Sequence, residues 1–366
     1  MSPLLLHEFH QGLGARFSEL NDAEIVLDYG DWLVEYRALH EAAAILDLSF
    51  RGRICLLGND RVRFLHGQIT NDVKKLRTGE GGYSALTTAK GKMESDLNVF
   101  NLPDELLLDF EPGLTEKISQ RLEKYIVADD VQIADVAPHY GLLSVQGPKA
   151  AEVVKAVGLT GGEALLKNLA IMKIPDATLG EIYLASQPRV FPEKAGFDIF
   201  VPNNSLGAVA DKLIAAAKRV GGGACGWRGL ETARIEVGVP RFGTDMDETN
   251  LPLECGIESR AVSFNKGCYI GQEVLNRIHA VGHVNKELRG LHLADDLKSL
   301  PNKGDKLFQN GKEIGYITSS VKSPALKTNI ALGYIRREAN QIGTELTLQT
   351  TDGSGLTKIV KLPFVK

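Results

Sequence analysis

The chain has 366 residues, 43% hydrophobic and 24% charged, with a formal net charge of −4. That length exceeds what one hydrophobic core usually supports, so two or three domains are expected, with no need of disulfides or metals to hold them. The slightly acidic balance excludes a global pull toward nucleic acid or an anionic membrane.

The apolar run near the N-terminus, "PLLL" before His7 and Glu8, is too short for a secretory segment. No later run reaches the length of a membrane span, and the expected location is the cytoplasm. Trp32, Leu33, Tyr36, Leu39, Ala43 and Leu46 recur at helical spacing and predict a helix over 31–46. "RICLLG" (53–58) reads as a strand, after which Asn59 or Asp60 caps a short helix through "DRVRFLHG". Three strands are expected over 82–113, with turns at "AKGK" and "LPDE". A helix follows with Leu114, Ile118, Leu122 and Tyr125 on one face, then the strand "VQIADV".

"YGLLSVQGPKAAEVVKAVG" (140–158) repeats the strand–turn–helix pattern, with Pro148 placed near the first helical turn. The two units suggest a duplicated module. Beyond the strand "FDIFVP" (197–202), the run "SLGAVADKLIAAAKRV" predicts a helix stopped by Gly221–Gly223, and another helix starts near Trp227. From about residue 288 the chain turns β-rich and turn-punctuated, which predicts a small β-barrel or sandwich. Strands and helices in this mixed order argue for an α+β fold, not a doubly wound sheet. Neither a dinucleotide fingerprint nor a Walker loop is present.

The four cysteines, Cys55, Cys225, Cys255 and Cys268, are scattered, with no C-x-x-C and no histidine at ligand spacing. A structural zinc or a resident iron–sulfur cluster is therefore unsupported. Cys268 lies in "NKGCYIGQE" (265–273), ahead of a predicted helix N-terminus and two residues after Lys266. Unpaired amides and a lysine favour a thiolate there, and Glu273 opposes it. The competing reading is a small apolar residue in a tight turn. Arg277, His279, His283, Lys286 and Arg289 form a basic stretch without interleaved aromatic residues, so a nucleic-acid stacking platform is not indicated. Glu231 and Arg234 are spaced to pair on one helix. "TDMDE" lacks the glycine and distal glutamate of a calcium loop.

Taken together, "KGCYIGQE" resembles the signature of the YgfZ-type folate-binding proteins, whose relatives include a mitochondrial iron–sulfur assembly factor. "FLHGQITNDV" (64–73), "TTAKGKMESDL" (87–97), "AGFDIFVP" (195–202), "RIEVGVPRFGTDMDETNLPLE" (234–254) and "IVKLPF" are similar to the wider family of the glycine-cleavage aminomethyltransferase, or T-protein. The similarity spans essentially residues 30–366.

The resemblance implies a three-domain cloverleaf, with two intertwined α+β domains in 1–287 and a C-terminal β-barrel in 288–366. It also implies tetrahydrofolate as cofactor. The acid that anchors the pterin in the family falls on Asp198, one methylene shorter than the usual glutamate. An arginine near the folate falls on Arg234, and a tyrosine ahead of the glycine turn falls on Tyr83. The paired acids that serve one-carbon transfer in T-proteins are Ser95 and Asp96 here, so only Asp96 survives.

In the subfamily of "KGCYIGQE", the cysteine is taken as functional, with the lysine beside it. This makes Cys268, Lys266 and Asp96 the candidate catalytic residues. The leading expectation is a folate-binding accessory factor for iron–sulfur clients or assembly proteins. The alternative is an aminomethyltransferase using tetrahydrofolate. A third reading is an RNA-interacting scaffold acting through Arg277–Arg289.

Overall fold

A computed structural model describes residues 2–159, 169–191 and 194–365. The fold is mixed α+β and divides into two compact units. One comprises Met1–Ser84 and Asp96–Glu231; the other comprises Ala85–Ser95 and Thr232–Lys366.

The first unit holds a two-stranded sheet of Arg16–Leu20 and Ala23–Asp28, a six-stranded sheet and the main part of a five-stranded one. In the six-stranded sheet, Tyr140–Gln146 lies between Gly196–Pro202 and Ala44–Asp47, antiparallel to both. Side chains alternate between the two faces of a strand. Leu143, Val145, Ile199 and Val201 therefore share one face, where they form a core with Leu206, Val209, Ala210 and Leu213 of the helix Leu206–Arg219. Ser144, Gln146 and Asp198 fall on the other face, which makes room for polar chemistry inside the unit.

The five-stranded sheet runs in the order Gly81–Thr87, Met93–Asn101, Leu106–Phe110, Gly52–Leu57, Gln132–Asp135. Both strand–turn–helix units form. Gly52–Leu57 leads into the helix Arg61–Gln68, and Tyr140–Gln146 into Ala150–Ala156. The second turn needs its glycine. Gly147 has φ +119°, and a Cβ there would come within 2.7 Å of the Ala42 carbonyl oxygen.

Two expectations need correction. The helix begun at Trp32 ends at Glu41, because Ala42 leaves helical geometry at φ −137° and ψ −122°. Ala44–Asp47 is instead a fully buried strand, its backbone groups paired in a ladder with Tyr140–Gln146. Ala43 and Leu46 fit a helical stripe in sequence, but burial in a sheet overrides that spacing. Asp60 occupies the N-cap position of Arg61–Gln68 without capping it. Its carboxylate accepts from Arg63 and from the Asp130 backbone N–H.

In the second unit six antiparallel strands close a barrel in the order Lys286–Leu293, Thr328–Arg336, Lys312–Ser323, Lys306–Gln309, Glu345–Thr350, Gly353–Val360. Leu291, Leu307, Ile317, Ala331, Leu348 and Ile359 fill its interior. Among the described residues, no helix is long and apolar enough to cross a membrane.

Candidate functional site

Asp198 is 1% exposed on Gly196–Pro202, directly opposite Ser144 in the ladder. Burying a carboxylate is costly unless partners satisfy it, and here they do. Ser144 Oγ donates to Oδ1 at 2.7 Å, Arg189 Nε donates to the same oxygen at 3.1 Å, and Arg189 Nη2 donates to Oδ2. Arg189 is itself placed by its backbone N–H, which donates to Gln146 Oε1 at 2.9 Å.

The same guanidinium reaches Asp109 Oδ2 at 3.3 Å. Asp109 interrupts the apolar strand Leu106–Phe110 and accepts from Arg51 Nε at 2.7 Å and from Asn98 Nδ2 at 3.0 Å. Arg51 Nη1 donates to Glu111 Oε1 at 2.5 Å. Burial works against the Asp109 charge, but Arg51 and then Arg189 overcome it and hold this carboxyl far below its ordinary range. Asp198 goes the other way. Burial, with the nearby charge of Asp109, raises it against the pull of Arg189 and Ser144.

Asp96 lies two residues before Asn98 on the strand Met93–Asn101, and therefore on the same face. Tyr83, on the strand Gly81–Thr87, donates its hydroxyl to Asp96 Oδ2 at 2.7 Å. Asp96 keeps some solvent contact yet sits deep in the unit. Desolvation, reinforced by the charge of Glu111, pushes its carboxyl up to about 6, against Tyr83 and Arg51. An acid with that value exchanges a proton near neutrality. The first unit thus holds the Tyr83–Asp96 pair and the Asp198 cluster, and Asp96 feels that cluster through the charges of Glu111 and Arg51.

The other sequence-predicted residues lie in the second unit. Arg234 is 4% exposed on the helix Trp227–Glu236 and donates through Nη1 to Asp245, and through Nη2 to Ser319 Oγ at 2.8 Å. Asp245 also accepts from Ser319 at 2.7 Å, from Thr318 at 2.5 Å and from the Arg241 backbone N–H at 3.2 Å. Lys266 is buried, with its ammonium 4.9 Å from the ring centre of Tyr269. Cys268 is exposed, whereas Cys55, Cys225 and Cys255 are buried. The chain after Cys268 bends at Gly271, φ +91°, before the helix Gln272–Val281. A Cβ at Gly271 would come within 2.6 Å of the Thr88 carbonyl oxygen, so the glycine is required on both counts.

His279 stacks on Phe264 at 3.7 Å, and Arg289 pairs with Glu287. Lys286 lines a cleft of about 750 Å³ with Glu254, Asn285, Arg336, Arg337 and Glu338. Among the described residues no group of three or more histidine, cysteine or acidic side chains is arranged to hold a metal ion.

Sequence reasoning missed Arg51, Asp109, Glu111 and Arg189. Asp109 carried a usable signal, since a lone acid inside "LLLDF" must find a cation when the strand is buried. Arg189 carried none.

Comparison with known proteins adds the lineage of the chain. The GCVT N-terminal domain model matches residues 6–266, and the glycine cleavage T-protein C-terminal barrel domain model matches residues 286–366. The aminomethyltransferases of Geobacillus sp. strain WCH70 and of Bacillus subtilis are each 28% identical over 363 residues. Each alignment covers 99% of this chain and 98% of the relative. The crystal structure of the glycine cleavage system aminomethyltransferase T from Bartonella henselae matches with a TM-score of 0.89 at 23% identity. It covers 100% of this chain and 98% of that one, a likeness of fold.

Proposed function

The chain belongs to the glycine-cleavage T-protein family, and from that premise we propose that it is a tetrahydrofolate-dependent transferase of the aminomethyltransferase type. The relatives' names support this reading. The observation that carries it is a buried carboxylate, Asp198, engaged by a planar two-donor group, in the same unit as Asp96, an acid bonded to Tyr83 and held near neutrality.

The fit to a folate rests on the chemistry of Asp198. Its two oxygens already take paired N–H donors from one planar group, the geometry that a pterin edge also offers. Asp198 would hold that edge. Tetrahydrofolate, when bound, supplies the acceptor for the one-carbon unit. Asp96, oriented by the Tyr83 hydroxyl, would move a proton as the aminomethyl nitrogen leaves as ammonia.

The test is turnover of an aminomethyl-loaded lipoyl carrier, read as ammonia released. Asp96→Asn keeps the acceptor for Tyr83 but cannot ionise, and is expected to lower kcat by about 10²–10⁴ with folate binding retained. Full activity in that variant sinks the reading.

A second reading keeps the iron–sulfur accessory role of the YgfZ type. What supports it is Cys268, the exposed thiol among four, with Lys266 nearby in sequence. The relatives' names favour the transferase. If Cys268→Ala still restores iron–sulfur enzyme activity in a strain lacking the protein, the thiol has no such role.

A further inference from the structure

The carboxylate that a pterin would need is already in use. Asp198 gives Oδ1 to Arg189 Nε and Ser144, and Oδ2 to Arg189 Nη2. A guanidinium offers two parallel N–H donors from one carbon. The 2-amino group and ring N–H of a pterin are the same fragment, a guanidine built into a ring. The two cannot occupy one carboxylate edge at once.

We propose that Arg189 is an internal competitor for the pterin edge, a side chain that a pterin has to displace from Asp198. The inference rests on the folate reading above. Three features of the network suit it. Arg189 is fixed through its backbone N–H to Gln146, so only its side chain needs to turn. Its Nη2 is already 3.3 Å from Asp109 Oδ2, so the charge has a second acceptor when it leaves Asp198. Ser144 stays on Oδ1 throughout and holds the carboxylate in place.

Displacement selects ligands. One that supplies both donors replaces what Arg189 gave to Asp198. One that supplies a single donor leaves a buried carboxylate oxygen short of a partner, a costly state. Removing Arg189 therefore helps a ligand with both donors more than one with a single donor, which cannot replace the fork and leaves the pair in place.

The experiment is calorimetry on the full chain at about pH 8, where carboxylates are favoured as ions. The ligands are tetrahydrofolate and its 2-desamino analogue; the proteins are wild type, Asp198→Ala, Arg189→Met and Arg189→Lys. Arg189→Met is expected to bind tetrahydrofolate about tenfold tighter than wild type, and the 2-desamino analogue to gain less than about threefold. Arg189→Lys, which keeps the charge but not the fork, should fall between. It carries the test if thermal unfolding shows Arg189→Met to be misfolded.

If wild type binds, Asp198→Ala weakens binding, and neither Arg189 variant binds tighter, the folate reading stands and the competitor role is overturned. An equal gain for both ligands also overturns it, because the carboxylate edge is then not what Arg189 guards. Binding by none of the proteins overturns both.

Discussion

Each unit buries an arginine against an aspartate, and the two pairs differ in what surrounds them. In the second unit, Arg234 meets Asp245 with Ser319, Thr318 and the Arg241 backbone donating to the carboxylate. In the first, the carboxyls of Asp96, Asp109, Glu111 and Asp198 gather around the guanidiniums of Arg51 and Arg189. Arg53, fully buried nearby, spends its guanidinium on the backbone carbonyls of Ser49 and Tyr140. A buried ion pair acts as a staple. A cluster with more acid than base must push some of its carboxyls toward the neutral form, and Asp96 and Asp198 bear that strain.

The largest effects should come from breaking each pair. Removing one partner of a buried ion pair costs about 3–5 kcal/mol, because the other charge is left alone. Asp245→Ala should lower unfolding free energy by that amount in urea, since it removes the carboxylate that faces the buried Arg234 guanidinium. Asp198→Ala should cost less, about 1–3 kcal/mol, because Arg189 falls back on Asp109. Equal losses in the two variants would mean that Asp109 does not serve as a second acceptor.

How far this contrast could be read in advance depends on range in the chain. The strand–turn–helix units, the C-terminal β-rich region and the position of Asp198 followed from local pattern or motif. The cluster around Asp198 did not. Arg51 meets Asp109 across 58 residues, and Arg189 meets Asp109 across 80. Only the register of two sheets brings them together. The short strand Ala44–Asp47 was hidden for a related reason, as its sequence satisfies a helical stripe and only the ladder with Tyr140–Gln146 decides against it. Residues whose partners lie within a turn announce themselves; those whose partners come from another sheet do not.

The next effect sharpens the imbalance as a dependence on pH. Asp96 titrates at about 6 in the fold, above its ordinary value, so the folded state binds that proton more tightly than the unfolded chain. The stabilisation from protonated Asp96 is complete below about pH 4 and is lost as pH rises through about 6. Asp96→Asn removes this dependence and keeps the acceptor for Tyr83. It should match wild type near pH 4 and exceed it by about 1–2 kcal/mol near pH 8. That figure is discounted from the full linkage value because Asp96 retains solvent contact. Urea midpoints at the two pH values measure it, and a larger gain on the acid side would reverse the assignment.

The smallest effect isolates one hydrogen bond. Tyr83 donates to Asp96 and thereby favours the ionised carboxyl, opposing burial and Glu111. Tyr83→Phe removes that donor and nothing else from the acid, so Asp96 should titrate higher, by about one unit for a hydrogen bond of roughly 1.4 kcal/mol. If Asp96 must be protonated to give its proton to the departing nitrogen, the falling limb of kcat against pH moves up by the same amount while the plateau is kept. A lower plateau with an unmoved limb would mean that Tyr83 orients the substrate and leaves the acid alone.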